Sequence, residues 1–344
     1  MGTVGRSSEL QFLSVLISLP LLVGGCGEST PAPRSLLLVT VDTLRADHLS
    51  SYGYERETSP GLDRLAAEGV RFRNTIVQRG GTWPSLTSIL TSMYPRSHGV
   101  RSNGDLLDRS KRTIAQLLRK SGFRTAAFLT NMLTAEHRGF DEVALFGGDD
   151  KGGRDAAAVP SAVQWLRDHH GEKFFLWLHL MGPHDPYRPA PGYRESFDTG
   201  YVGPLSGSRN ILKKIHAQRR QLSERELAHV VSLYDAEILQ VDARIRTVLD
   251  ALDELDITSD TLVVFSSDHG EELYDHNSYF FHSWSIYESV LHVPLIFSLP
   301  GQLPSGKTVD AVVESIDLAP TMFELLGLPI PDDFEGTSLV PLIS

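Results

Sequence analysis

Residues Ser35-Leu-Leu-Leu-Val-Thr-Val41 form an apolar run with no polar alternation, and Asp42 follows at once. A strand that is apolar on both faces sits at the centre of a sheet covered on both sides, and such sheets are mostly parallel. Similar runs recur at Thr125-Ala-Ala-Phe-Leu129, Lys173-Phe-Phe-Leu-Trp-Leu178, Thr261-Leu-Val-Val-Phe265 and Val293-Pro-Leu-Ile-Phe297. Between them lie segments of helical period. Ser59-Pro60 opens one that Gly69 closes, Thr113 to Lys120 forms a second, and Asp317 caps one running to Gly327. The longest starts at Ser223, which makes a capping box with Glu226, and keeps apolar residues at helical spacing from Leu227 to Leu252. The pattern predicts an α/β fold with a mostly parallel central sheet and helices on both faces.

Two features bound the setting. Leu10 to Val23 is an apolar run, short for a membrane span, that stops at Gly24-Gly25-Cys26, and Cys26 is the only cysteine. Val-Gly-Gly-Cys resembles the bacterial lipobox. The reading is a signal peptide over residues 1–25, a polar tether over 26–34 and one catalytic domain over 35–344. Lipidated Cys26 then makes the chain an exported, membrane-anchored lipoprotein. The net charge of −11 excludes nonspecific nucleic-acid binding. It also means that an anionic substrate needs a local cluster of cations or a metal.

Three apolar runs stop at metal- or anion-binding residues: the first at Asp42, the third at His179 with His184 beyond, and the fourth at Asp268-His269. In open parallel sheets, ligands bind outside the carboxyl ends of the strands. Gly81-Thr82-Trp83-Pro84-Ser85 belongs with them, because Thr82 falls at or near the start of a helix, where the backbone favours negative charge. A metal-bound threonine hydroxyl there can lose its proton and attack a phosphorus or sulfur centre; the plainer alternative is an N-cap.

The ordered series Val39-Thr-Val-Asp42-Thr-Leu-Arg45-Ala-Asp47-His48, Thr82-x-Pro84-Ser85, Ser97-His98-Gly99-Val100, Gly182-Pro183-His184-Asp185-Pro186-Tyr187 and Ser267-Asp268-His269-Gly270-Glu271 resembles the sulfatase family of the alkaline phosphatase superfamily. The resemblance runs from residue 35 to the end. It implies an alkaline-phosphatase-like fold whose C-terminal subdomain is short or missing here. It also implies one divalent metal held by Asp42, Asp268 and His269, with Thr82 on the metal as nucleophile. Arg45, His98, His184 and His282 are the expected groups for neutralising the ester oxygens or protonating the leaving alcohol. Two departures stand out. Threonine replaces the cysteine or serine that becomes formylglycine, and Leu86 replaces the motif's arginine. With His269 in place of an amide ligand, zinc or manganese is favoured over calcium.

The leading expectation is an exported metal-dependent hydrolase of sulfate or phosphate esters, acting on a small-molecule, glycan or lipid ester. Two alternatives stay open. One is a phosphoalcohol transferase or phosphodiesterase acting on envelope lipid or glycan. The other is a catalytically silent sulfatase-like binding protein.

Overall fold

The computed structural model describes residues 33–131, 137–148, 151–276, 280–283 and 285–343, together with 1–3 and 5. The expected signal segment, Cys26 and most of the tether lie outside the described residues. The chain divides at residue 31, and everything below concerns the unit of residues 32–344.

The strands are β1 (Ser35–Val41), β2 (Val70–Ile76), β3 (Arg124–Leu129), β4 (Glu142–Leu145), β5 (Phe174–Leu180), β6 (Thr261–Ser267), β7 (Glu272–Leu273), β8 (Phe280–Phe281), β9 (His292–Ser298) and β10 (Lys307–Glu314). Eight of them make one sheet in the order β10-β2-β9-β6-β1-β5-β3-β4, while β7 and β8 pair as a separate short hairpin. All neighbours in the large sheet run parallel except the two pairs made by β9, which is antiparallel to β2 and β6. The fully apolar β1 therefore lies in the middle, between β6 and β5, with every residue buried.

Period-two alternation splits the strand side chains between two cores. Leu37, Val39 and Val41 face one core with the helix Lys151–His169 and the long helix Glu224–Glu254. Leu36 and Leu38 face the other, with Phe175 and Trp177 of β5, Leu262 and Val264 of β6, and the helix Thr82–Thr91. Carried on to the strand ends, the same alternation puts Asp42, His179 and Asp268 on the second face. Thr82–Thr91 covers that face and brings its N-terminus to the strand ends.

Helix starts were partly legible. Ser223 and Glu226 form the expected capping box, as do Thr113 and Gln116. Ser59 differs: its hydroxyl goes to Asp63 instead of capping. The N–H groups of Gly61 and Leu62 instead reach Asp242 of the long helix, both at 2.8 Å. Asp317 likewise makes no side-chain cap; its carboxylate accepts from Thr337 and Glu314 N–H, tying the C-terminal segment to β10. In both places a tertiary partner supplies what the local sequence was expected to supply.

Candidate active site

Register alone assembles the centre. Val41 pairs with Ser267, so Asp42 and Asp268 leave adjacent strands side by side, and Thr40 pairs with His179 across β1 and β5. Atoms of Asp42, His179 and Asp268 lie within 4.8 Å of one another, and all three residues are fully buried. His269 joins them: its Nε2 is 3.4 Å from Asp268 Oδ2 and 3.8 Å from Asp42 Oδ1. Thr82 Oγ1 is 3.4 Å from the same Nε2.

Each group is fixed on one side and bare on the other. Asp268 Oδ1 accepts the N–H groups of Thr43 and His269, leaving Oδ2 without a partner. Asp42 Oδ2 accepts from Asn131 at 2.5 Å, leaving Oδ1 bare. His179 Nδ1 lies 2.9 Å from Thr40 Oγ1, itself held by Trp177 Nε1, and His179 Nε2 is bare. His269 Nδ1 lies 2.9 Å from Gly270 O, which fixes the tautomer with its lone pair on Nε2. Buried polar atoms without partners are costly, and three that converge on one point form a set that could hold a metal ion. Thr43, a β-branched residue at φ 59°, is the strained turn that aims its N–H at Asp268. The Tyr234 hydroxyl bridges Thr43 O and Arg45 N and holds that turn.

The electrostatics follow from this packing. Burial alone raises Asp42, but His184, His179 and His269 outweigh it and hold the carboxyl below the ordinary range. Burial and then the Asp42 charge push Asp268 well up. Burial, reinforced by His282, pushes His269 down to about 3, so its imidazole is neutral. A neutral His269 imidazole and an ionised Asp42 are the states a metal requires, and the upward push on Asp268 is what a cation beside it would relieve.

The hydroxyls of Thr82–Thr91 have separate assignments. Ser85 donates to Asp268 O at 2.5 Å, Thr87 and Thr91 bond back to the carbonyls of Trp83 and Thr87, and Ser88 pairs with His98. Thr82, the first helical residue, is the one whose hydroxyl faces His269 Nε2. Leu86 is fully buried in the apolar core, so this position brings no charge to the site.

His184 and His282 both reach the centre. Their ring centroids are 5.2 Å apart, and His282 lies 4.3 Å from His269. Glu271, fully buried, holds His282 Nδ1 at 3.2 Å. Burial lowers the His282 imidazole, but the Glu271 carboxylate outweighs it and raises the group overall. The loop bearing His184 is clamped by buried Lys151, whose ammonium donates to Gly182 O and His184 O. Asp155 accepts from the N–H groups of Met181 and Gly182 in the same loop.

Two expected catalytic residues have other work. Arg45 spends its guanidinium N–H groups on Asp47, Asp275 and Glu271 O, so it is a structural clamp of the loop between β6 and β8, not an ester-binding group. His98 accepts Val100 N–H at Nδ1 and faces Ser88 Oγ at 3.0 Å with Nε2, so it bridges two helices instead of serving the reaction. Burial pushes His98 down to about 4 from 6.5. A histidine lowered in the fold contributes stability that is complete above the unfolded value and is lost as pH falls toward the folded one. His98→Gln should therefore show a flatter melting temperature between about pH 6.5 and 4 in scanning calorimetry. The wild type should lose roughly 3 kcal/mol more over that window. Parallel curves for the two proteins would refute this role.

The residues the sequence reading left out of the metal set or the site are His179, Asn131, Asn103 and Glu271. His179 had a signal, since it ends an apolar run. Asn103, which accepts Trp83 N–H at 2.9 Å, had none.

A mostly parallel α/β sheet carries a buried carboxylate–imidazole centre at its strand ends, where ligands of such sheets bind, and a helix N-terminus with a hydroxyl faces it. Comparison with known proteins gives the family. The sulfatase family model matches residues 34–328. The chain belongs to the sulfatase family and is an ester hydrolase of it. It is 24% identical to an N-acetylglucosamine-6-O-sulfatase of Bacteroides thetaiotaomicron, over 92% of this chain and 72% of that protein. It is 26% identical to an arylsulfatase of Clostridium perfringens, over 90% and 78% of the two chains. Among solved structures, a protein complexed with its substrate D-glucosamine-2-N,6-O-disulfate superposes with TM-score 0.77 at 22% identity, covering 91% of this chain and 80% of that one. A phosphonate monoester hydrolase of Agrobacterium radiobacter also superposes with TM-score 0.77, at 21% identity, covering 90% and 77%. The family is metal-dependent, and two carboxylates, imidazole nitrogens and a hydroxyl that converge on one point fit a divalent ion.

Proposed function

We propose that the chain is a metal-dependent hydrolase that cleaves a sulfate monoester on a sugar, with Thr82 as its nucleophile. The single observation that carries this reading is the approach of Thr82 Oγ1 to His269 Nε2 at 3.4 Å, a nitrogen that itself lies 3.4 Å from the partnerless Asp268 Oδ2 and 3.8 Å from the partnerless Asp42 Oδ1. The sulfated sugar is supported by two similar proteins, the N-acetylglucosamine-6-O-sulfatase and the protein solved with glucosamine disulfate.

A divalent ion bound by Asp42, Asp268, His269 and His179 supplies Lewis acidity to the ester oxygens and lowers the pKa of a coordinated hydroxyl. Imidazole in the donor set favours zinc or manganese over calcium. The chain's own residues do the rest. Thr82, at the positive end of its helix, gives its hydroxyl proton to solvent, and its Oγ1 attacks sulfur in line while the bond to the leaving oxygen breaks. His282, whose imidazole the Glu271 carboxylate raises, gives its proton to the departing alcohol, and His184 faces the same oxygens. Water then attacks the threonine ester, returns its proton to the imidazole and releases sulfate.

A second reading keeps the site and changes the ester. Threonine in place of a formylglycine-forming residue, together with the His269 imidazole, favours phosphorus chemistry, and the phosphonate monoester hydrolase fold agrees with it. We also infer export and anchoring through lipidated Cys26, on the apolar run that ends there. Purified metal-loaded protein should release sulfate from aryl sulfate and from N-acetylglucosamine-6-sulfate faster than it releases product from a phosphonate monoester or a phosphodiester. The reverse order would move the assignment to the second reading.

A further inference from the structure

An open cleft of about 630 Å³ is lined by Arg79, Arg96 and Arg101 together with Gln78, Tyr94 and Ser102. All three arginines are exposed. Among the described residues, none of their guanidinium groups lies within ion-pair distance of a carboxylate. The acidic groups around the cleft are engaged by other donors. Glu314 takes the Tyr94 hydroxyl and the Gln78 amide, Glu335 takes Tyr94 N–H and the Ser97 hydroxyl, and Asp105 takes the N–H groups of Arg101 and Ser102. The Arg96 guanidinium rests over the Tyr94 ring at 5.3 Å, which orients it without neutralising it.

In a chain of net charge −11, exposed arginines ordinarily find acidic neighbours. Three that line one concavity with no ion pair of their own, while the nearby carboxylates are turned to other donors, offer guanidinium groups to an anion. The cleft is also joined to the reaction centre through both of its walls. Arg79 precedes Thr82 by three residues, a span of at most about 10 Å. On the other side, Asn103 follows Ser102 directly and accepts the N–H of Trp83, the residue after Thr82. A group held by these arginines therefore lies on the order of a disaccharide's length from the scissile ester.

We propose that this cleft is a second anion subsite, which binds a sulfate or carboxylate group on the sugar next to the one being cleaved. The inference rests on the proposed sulfated-sugar substrate. Arg79 and Arg96 supply planar, charge-assisted donors to that remote group, and they set preference for a polyanionic oligosaccharide over a small ester. They touch no reacting atom, so their effect belongs in KM and not in kcat.

The test compares wild type with the double variant Arg79→Gln/Arg96→Gln on 4-nitrophenyl sulfate and on a multiply sulfated tetrasaccharide. Calorimetric binding of the same tetrasaccharide to both metal-loaded proteins is measured alongside. The double variant should raise KM for the tetrasaccharide roughly tenfold or more, leave kcat in place and leave the aryl ester unchanged. Calorimetry should show the same weakening, and added salt should erase most of the difference. Equal effects on both substrates, or equal tetrasaccharide binding by both proteins, overturns the subsite. Failure of the proposed function reads differently: wild type releases no sulfate from either substrate, yet calorimetry still reports whether the arginines hold the polyanion.

Discussion

Thr82→Ala is expected to lose about 10⁴-fold or more in kcat while keeping its bound metal and its fold. The side chain is one of several donors at the ion site, and Asp42, Asp268 and the two imidazoles remain without it. Structurally the substitution is mild. Thr82 is the first residue of its helix and its hydroxyl makes no capping bond, so stability should change by no more than about 1 kcal/mol. Thr82→Ser restores a hydroxyl at the same atom and should recover a large part of the rate. Metal content by emission spectroscopy and initial rates on the same preparations decide the matter. A Thr82→Ala enzyme with unchanged turnover contradicts the assignment of the nucleophile. One that loses both metal and rate shows instead that the hydroxyl serves mainly as a ligand.

The second large effect concerns the ion. Asp42 and Asp268 are fully buried side by side, and Asp268 is pushed upward by burial and by its neighbour. Two carboxylates so placed repel each other unless a cation lies between them. Ion binding to the folded state alone adds about 4 kcal/mol at a thousandfold excess over Kd. Chelation should thus lower the melting temperature of wild type by roughly 5–10 °C and abolish activity, and added zinc or manganese should restore both. In Asp268→Asn the like-charge pair is gone. The metal-free variant should melt at or above metal-free wild type, should not respond to chelator, and should be inactive. Calorimetry with and without chelator checks each point. A chelator-sensitive Asp268→Asn protein refutes the ligand assignment.

What the sequence could reveal followed from local pattern. The parallel sheet, the long helix and its cap, and the gathering of Asp42, Asp268 and His269 at one edge are consequences of apolar runs and where they stop. Thr82 was legible because a proline two residues later marks a helix start. The misreadings came from distant partners. Arg45 carries no mark of Asp275, which lies 230 residues away and takes two of its N–H groups. His98 resembles a site residue in its motif, yet Ser88 and Val100 occupy both of its nitrogens. His179 ends an apolar run in the sequence, but in the structure β5 continues through it to Leu180. Only the register of β5 against β1 turns its ring to the centre. Asn103 and Asn131 come from loops whose course no periodicity predicts; Asn103 accepts Trp83 N–H and Asn131 donates to Asp42 Oδ2.

Acid quenching of the metal-loaded enzyme during steady-state turnover, followed by peptide mass spectrometry, tests the central claim most directly. The account predicts a mass gain of one sulfuryl group, or one phosphoryl group on the second reading, confined to the peptide that carries Thr82 and absent from Thr82→Ala. An enzyme in full turnover whose transferred group sits on another residue contradicts it.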